Sequence, residues 1–458
     1  MKKRRVLVAN RGEIAVRIIK ACKELDAETV LAVSEADKES MGAQLADKVV
    51  CIGPWQAAQS YLNIPAIIKA AQENKADAIH PGYGFLAENV DLPEACEKNN
   101  IIFIGPRSTV MRQLGDKIRA RNLAKENNVP MTAGSDGLNS FGDVEAKVKE
   151  VGLPVIFKAA AGGGGRGMRI VREAKELKNA FNMASNEALK AFGDGTLFVE
   201  RYVQNARHVE VQLMGDNYGK VIHFGQRDCS SQRRHQKVIE EAPPPNLSAD
   251  LRNKILEAAV SLTSSIGYNN AGTAEFLVDK DRNEFYFNEV NTRIQVEHPV
   301  SEEITGVDLV QEQIKIAFGE PLSMKQSDVH FKGHAIECRL TAEDSKDDFC
   351  PTPGLITRFV VPQGNNIRVD THCYEGYEIS HFYDSLIGKL IVTGGTRAEA
   401  LENTKKALAS FEIAGIETNI PFLQFLINQP EFIKGNIYTK WIETTVLPQF
   451  LETVKANK

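Results

Sequence analysis

The sequence predicts an α/β N-terminal unit on a doubly wound parallel sheet, an α+β middle unit with a glycine-rich flap, and a third unit of strands followed by helices. Three observations carry this. Short apolar runs alternate with helical stretches up to about residue 115. A glycine run stands between strand-like segments at 155–158 and 168–171. Finally, a strand–turn–strand pattern around 273–291 places glutamates on both arms.

The first apolar run, 5–9, precedes a helical stretch at 12–25 with Ile14, Ile18 and Cys22 on one face. Further runs follow at 29–33, 49–52, 78–80 and 101–104, with helix-like segments such as 64–73 between them. Wholly apolar strands separated by helices indicate a parallel sheet covered on both faces. The first turn, N-R-G-E-I, lacks the G-x-G-x-x-G dinucleotide fingerprint, so NAD binding is not expected. From about 120 to 320 the pattern becomes α+β, and 331–445 forms the third unit. That unit has strand-like runs at 335–340, 355–361 and 386–392, with helices at 397–411 and 420–426.

Composition narrows the classes. At roughly 150 residues per domain, 458 residues give room for about three. With 43% hydrophobic and 25% charged residues, disorder and low complexity are excluded. No apolar run approaches the roughly 18 residues of a membrane span. A net charge of −5 disfavours nucleic-acid binding. Seven scattered cysteines without a C-x-x-C pair argue against zinc or a disulfide framework and for a reducing, cytoplasmic location. The N-terminal M-K-K-R-R is followed by too short an apolar stretch for a signal peptide.

The run Gly162-Gly163-Gly164-Gly165-Arg166-Gly167-Met168 is not a Walker A loop, which needs Lys and Ser/Thr after its last glycine and opens a helix. Between two strands it reads as a flap whose bare N–H groups could fold over phosphates. A plain surface hairpin is the competing reading. Lys158 on the base strand favours phosphate. In the second hairpin the turn lies at 279–283 and sets Glu275 opposite Glu289, with Asn291 on the same face. Like charges opposed across a sheet destabilise it, and a cation resolves the conflict. Oxygen ligands this few suit Mg²⁺ completed by phosphates; one solvated and one neutral glutamate is the alternative.

The next segment, N-T-R-I-Q-V-E-H-P, concentrates Arg293, Gln295, Glu297 and His298. Glu297 beside cations could act as a general base, and Arg293 could grip a planar anion bidentately. The stretch R-D-C-S-S-Q-R-R-H-Q-K (227–237) is too short and lacks the aromatic residues of a nucleic-acid patch. It is either a solvated loop or, beside an ATP site, an anion-binding wall.

The flap K-A-A-A-G-G-G-G-R-G-M and the hairpin ending E-V-N-T-R-I-Q-V-E-H resemble the ATP-grasp fold. Together with V-A-N-R-G-E-I-A, H-P-G-Y-G-F-L-A-E-N and R-D-C-S-S-Q-R-R-H-Q-K, they resemble biotin carboxylase from residue 4 to about 445. The resemblance implies a pre-ATP-grasp domain at 1–115 and an ATP-grasp domain at 116–320 with a mobile lid at about 131–203. A C-terminal biotin carboxylase domain follows at 331–445. It also implies a reaction: ATP activates bicarbonate as carboxyphosphate, this yields CO₂ and phosphate, and phosphate deprotonates biotin, whose enolate captures CO₂.

By motif match, Glu297 would deprotonate bicarbonate, which Lys237, Arg293, Gln295 and the Val296 backbone would hold. Arg339, with Tyr83 and Glu88 nearby, would serve biotin, stabilising its enolate. Lys117 and Lys158 would contact ATP phosphates under Gly164 and Gly165. Glu200, Arg201, Tyr202 and Val203 match the hinge that reads adenine, and His208, Gln232 and His235 would line ribose and phosphate. Glu275, Glu289 and Asn291 would hold magnesium, which manganese could replace. Arg201 stands where many relatives have lysine, and Ala161 where some have a further glycine.

Met324-Lys325 lacks the M-K-M pattern of a biotinyl hairpin. The expected partners are therefore a separate biotin carboxyl carrier protein and carboxyltransferase subunits, as in acetyl-CoA carboxylase or a related enzyme, with the chain itself a homodimer. Another ATP-grasp ligase would share Lys158 and both glutamates but not Arg339 or R-I-Q-V-E-H. A non-catalytic nucleotide-binding regulator would have lost Glu297, Lys237 or a magnesium carboxylate.

Overall fold

A computed structural model of the chain describes residues 3–135, 137–160 and 168–456. The first apolar run becomes β1 (Arg5–Val8), and α1 (Gly12–Glu24) follows with Ile14, Ile18 and Cys22 buried. With β2 (Glu28–Ser34), β3 (Lys48–Gly53), β4 (Ala78–His80) and β5 (Ile102–Phe103), β1 makes a parallel sheet ordered β3-β2-β1-β4-β5. The winding reverses between β1 and β4, and ligands in such sheets gather where the strands end beside a reversal. The loops after these strands are tied together there: Asn10 Nδ2 donates to the carbonyls of Pro81 (2.7 Å) and Tyr83 (2.8 Å). One expectation fails: β3 is not covered on both faces. It is an edge strand, with Lys48, Val49 and Cys51 exposed.

The flap strands form β6 (Val155–Ala159) and β7 (Arg169–Val171), which pair antiparallel. With β8 (Leu197–Arg201) they make a small sheet, β7-β6-β8. Helices Phe141–Val151 and Leu177–Phe192 close a separate core of Val144, Phe157, Phe181 and Leu197 over it. The glycine run between β6 and β7, including Gly164 and Gly165, lies outside the described residues.

The strands β9 (Arg207–Gly215), β10 (Val221–Arg233), β11 (Gln236–Ala242), β12 (Asn270–Asp279), β13 (Glu284–Asn291) and β14 (His334–Thr341) join Leu386–Gly394 and Ile367–Thr371. All eight form one antiparallel sheet, in the order β13-β12-β9-β10-β11-β14, then 386–394 and 367–371. The hydrogen-bonded ladder therefore runs through the expected 320/331 boundary, because β14 pairs with β11. The expected strand 355–361 is instead two short pieces. Gly354–Leu355 pairs with Glu378–Ile379, and Arg358–Val360 pairs with Glu412–Ala414; Ile356 turns into the core between them. No helix among the described residues is long and apolar enough to cross a membrane.

Candidate active site

The large sheet assembles the site by cross-strand register. Glu289 on β13 lies opposite Glu275 on β12, as the hairpin pattern predicts, and the row continues through Glu210 on β9 to Arg227 on β10. Three carboxylates side by side are unfavourable without cations. Arg227 Nε meets Glu210 at 2.6 Å, Lys237 Nζ reaches Glu210 at 2.6 Å and Glu275 at 3.2 Å, and His208 Nε2 lies 3.3 Å from Glu275. Burial opposes a charge on His208, but Glu275 and Glu210 outweigh it and push its pKa up to about 10.

Two groups of donors lie close enough to share an ion, His208–Glu210–Glu275 and Glu210–Cys229–Glu297. Their carboxylates are already neutralised by Arg227, Lys237 and His208, so they do not require one. Glu289 differs. Burial, then Glu275, push its carboxyl above the ordinary range, and Lys117 and Lys158 answer it only in part. Glu275 also accepts from Asn291 Nδ2 at 2.9 Å, bringing the third expected ligand alongside. An all-oxygen set with one under-compensated carboxyl fits magnesium.

Glu297 is fully buried, with Lys237 on one carboxylate oxygen and Arg339 Nη2 on the other at 2.9 Å. Burial and Glu210 push this carboxyl up, yet Lys237, Arg339 and Arg227 outweigh them and hold it below its usual value. Arg293 donates to Gln295 Oε1 at 3.0 Å and to Asn291 Oδ1 at 3.4 Å, and pairs with Glu88 at 3.0 Å. The Gln295 Nε2 amide is buried without a partner, a donor that invites an acceptor. His298 is buried and neutral, its Nδ1 2.8 Å from the Gln295 carbonyl, so it braces this loop. Tyr83, Lys237, Val296 and Arg339 line one cavity of about 330 Å³.

On the small sheet, Lys158 pairs with Glu200 at 2.8 Å, and Arg121 binds the other Glu200 oxygen. Burial raises the Glu200 carboxyl, but Lys158 and Arg121 more than offset it. Lys117 is depressed chiefly by burial. In the expected hinge the N–H groups of Arg201 and Tyr202 bond to the Ala133 and Pro154 carbonyls, and the Arg201 side chain donates to the Tyr286 hydroxyl. Gln232 is buried and donates to the Cys229 carbonyl at 2.8 Å. His235 stands apart from the carboxylates. It and Arg234 form a two-residue hairpin turn with φ of +65° and +49°, which aims His235 outward near Lys440 and Glu443.

Within the stretch 227–237, residues 227–233 are buried strand with Arg227 taken up by Glu210, 234–236 are exposed at the turn, and Lys237 lines the cavity. Two important carboxylates went unread in the sequence. Glu210 belongs to His208, Glu210 and Gln212, polar at every second position of β9, which is the signal that could have exposed it. Glu240 binds Arg339 Nε at 2.6 Å; burial lifts its carboxyl to about 7, against the pull of Arg339.

Family comparisons agree along the chain. A "Biotin carboxylase, N-terminal domain" model matches residues 2–111, a "Carbamoyl-phosphate synthase L chain, ATP binding domain" model 116–325, and a "Biotin carboxylase C-terminal domain" model 337–444. Biotin carboxylase 1 of Bacillus subtilis is 48% identical over 442 residues, 96% of this chain and 98% of that protein. The Campylobacter jejuni biotin carboxylase–β,γ-ATP complex superposes with a TM-score of 0.94 at 48% identity, covering 96% of this chain and 99% of that one. The biotin carboxylase domain dimer of Hydrogenobacter thermophilus 2-oxoglutarate carboxylase, solved with MgADP, ADP and bicarbonate, gives 0.93 at 46%, covering 98% and 99%. The sheet order, the carboxylate row and these matches lead to one conclusion: the chain belongs to the biotin carboxylase family.

Proposed function

We propose that this chain carboxylates biotin with bicarbonate at the expense of ATP, the first half-reaction of a multi-subunit carboxylase, with biotin delivered on a carrier protein. The observation that carries the reading is Glu297, buried between Lys237 and Arg339 beside a cavity that Tyr83 also lines. Bicarbonate enters beside Arg293, Gln295 Nε2 and the Val296 backbone. The incoming anion shares the fixed charge of Lys237 with Glu297, which raises the basicity of a carboxylate those cations otherwise depress. Glu297 then takes the bicarbonate proton, and an oxygen of the bicarbonate attacks the ATP γ-phosphorus, displacing ADP and forming carboxyphosphate. This breaks down to CO₂ and phosphate; phosphate takes the N1′ proton of biotin, and N1′ bonds to CO₂. Arg339 donates to the enolate oxygen of biotin, a charge that develops in the reaction and is stabilised by a fixed donor.

Lys117 and Lys158 hold the phosphates, Lys158 exchanging Glu200 for a phosphoryl oxygen. Glu275, Glu289 and Asn291 hold magnesium, which neutralises phosphate charge when bound. The backbone of the hinge residues Glu200, Arg201, Tyr202 and Val203 reads the adenine edge through groups other than the engaged Arg201 and Tyr202 N–H. We place His208 and Gln232 toward ribose and phosphate; His235 at its outward turn reaches the nucleotide only if that hairpin moves. The three family segments support units at 1–115, 116–320 and 331–445, the last two joined by the eight-stranded sheet. Carboxyltransferase subunits, a homodimer and a cytoplasmic setting complete the reading, the last from seven unpaired cysteines.

The test is ATP hydrolysis with bicarbonate, with and without free biotin. Clear stimulation by biotin at saturating bicarbonate is expected; hydrolysis indifferent to biotin overturns the reading.

A further inference from the structure

We infer that Lys389 and Glu13, buried behind the biotin-side cavity, are positioning residues that set Tyr83 and the Val296 backbone against each other. The geometry spans all three family segments. Lys389, on strand Leu386–Gly394, has no exposed surface; its Nζ donates to the Val296 carbonyl at 2.8 Å and lies 3.1 Å from Glu13 Oε1. Glu13, in the first turn of α1, accepts from the Tyr83 hydroxyl on the same oxygen, and its other oxygen has no partner. Glu13, Tyr83 and Val296 all line the cavity, whereas Lys389 stands one layer behind. A single ammonium thus fixes one wall through Glu13 and Tyr83, and the opposite wall through the carbonyl adjoining Glu297.

The register makes this arrangement costly unless it serves a purpose. Lys389 lies directly opposite Arg339 on β14, two cations facing each other across neighbouring strands. They are divided between different carboxylates: Arg339 takes Glu240 and Glu297, while Lys389 takes Glu13. A buried ion pair is weak evidence for stability, because desolvation offsets its attraction. This pair joins two cavity walls that serve different substrates, which a structural clamp elsewhere in the interface would not do.

The inference rests on the biotin carboxylase reading. Wild-type hydrolysis indifferent to biotin would overturn that reading, whereas the variants below test only the positioning. The double variant Glu13→Gln/Lys389→Met removes both members of the pair together, and Asp370, which also faces Lys389, keeps Arg368 as its partner. In the full chain, its KM for bicarbonate and for biotin are each expected to rise about tenfold, the loss of one charge-assisted hydrogen bond. Its KM for ATP should stay within about twofold, since Lys117, Lys158 and Glu200 touch neither residue. Unchanged values for all three substrates, or a parallel rise in all three, overturn the inference. If that variant does not fold, Glu13→Gln and Tyr83→Phe are combined in a double-mutant cycle on KM for biotin. Non-additive effects support coupling through Glu13, and simple additivity overturns it.

Discussion

The two sheets of the ATP-binding region place lysine against glutamate in opposite ways. In the small β7-β6-β8 sheet, Lys158 meets a single carboxylate, Glu200, and a core of its own lies beneath it. In the large sheet, Lys237 on β11 reaches Glu210 on β9, Glu275 on β12 and Glu297 in the loop after β13 at once. A lysine with one partner can trade it for a phosphate by breaking one ion pair. A lysine with three is a fixed charge about which substrates arrange themselves. The small sheet is thus built for exchange of partners and the large one for preorganised chemistry.

The sharpest way to break this comparison is at its fixed end. Glu297→Gln should lower kcat for bicarbonate-dependent turnover by about a thousandfold while nucleotide affinity holds, as steady-state kinetics and nucleotide titration would register. Arg339→Ala should cost about a hundredfold in biotin carboxylation, again with little change in ATP binding; equal loss of both would remove it from the biotin side. At the exchangeable end, Lys158→Met should raise KM for ATP by about ten- to a hundredfold and leave KM for bicarbonate nearly unchanged. Glu289→Gln should shift the magnesium activation curve several-fold to higher concentration, and an unmoved curve would argue against ligation there.

The smallest effect concerns pH. The Glu240 carboxyl, ordinarily near 4.5, is lifted to about 7 in the fold. A raised carboxyl favours the folded chain in acid; that contribution is complete below about pH 4.5 and is lost as pH climbs through about 7. Glu240→Gln should therefore flatten the stability profile between these values in thermal melts at stepped pH. A profile that keeps its slope would assign the titration to another group.

Much of the site was legible because its signals are local. The hairpin 273–291 predicts its own register, since a turn length and a period of two fix which residues face each other, and Glu275 does meet Glu289. The parallel pairing of β1 to β5 follows from apolar strands alternating with helices, whereas their order does not. Non-local register was not legible. The alternating His208, Glu210 and Gln212 mark a polar strand face, but they do not say that Glu210 continues the Glu289–Glu275 row or that Arg227 ends it. The stretch 227–237 leaves a solvated loop and an anion-binding wall both open, because polar strands resemble loops until their buried counter-charges are known. The outward turn at Arg234 and His235 is equally silent in the linear sequence.

By itself the sequence determined the class of the fold, the strands flanking the glycine run and the paired glutamates, because each depends on short-range spacing and chemical type; the residues expected for bicarbonate and biotin followed from the family resemblance. Only the tertiary structure decided how the charges are shared. One eight-stranded sheet runs from the nucleotide side into the third unit, and it brings Arg339 and Lys389 face to face from distant parts of the chain. Which carboxylate answers which cation is fixed by cross-strand register and burial, and a linear chain carries no record of either until it closes on itself.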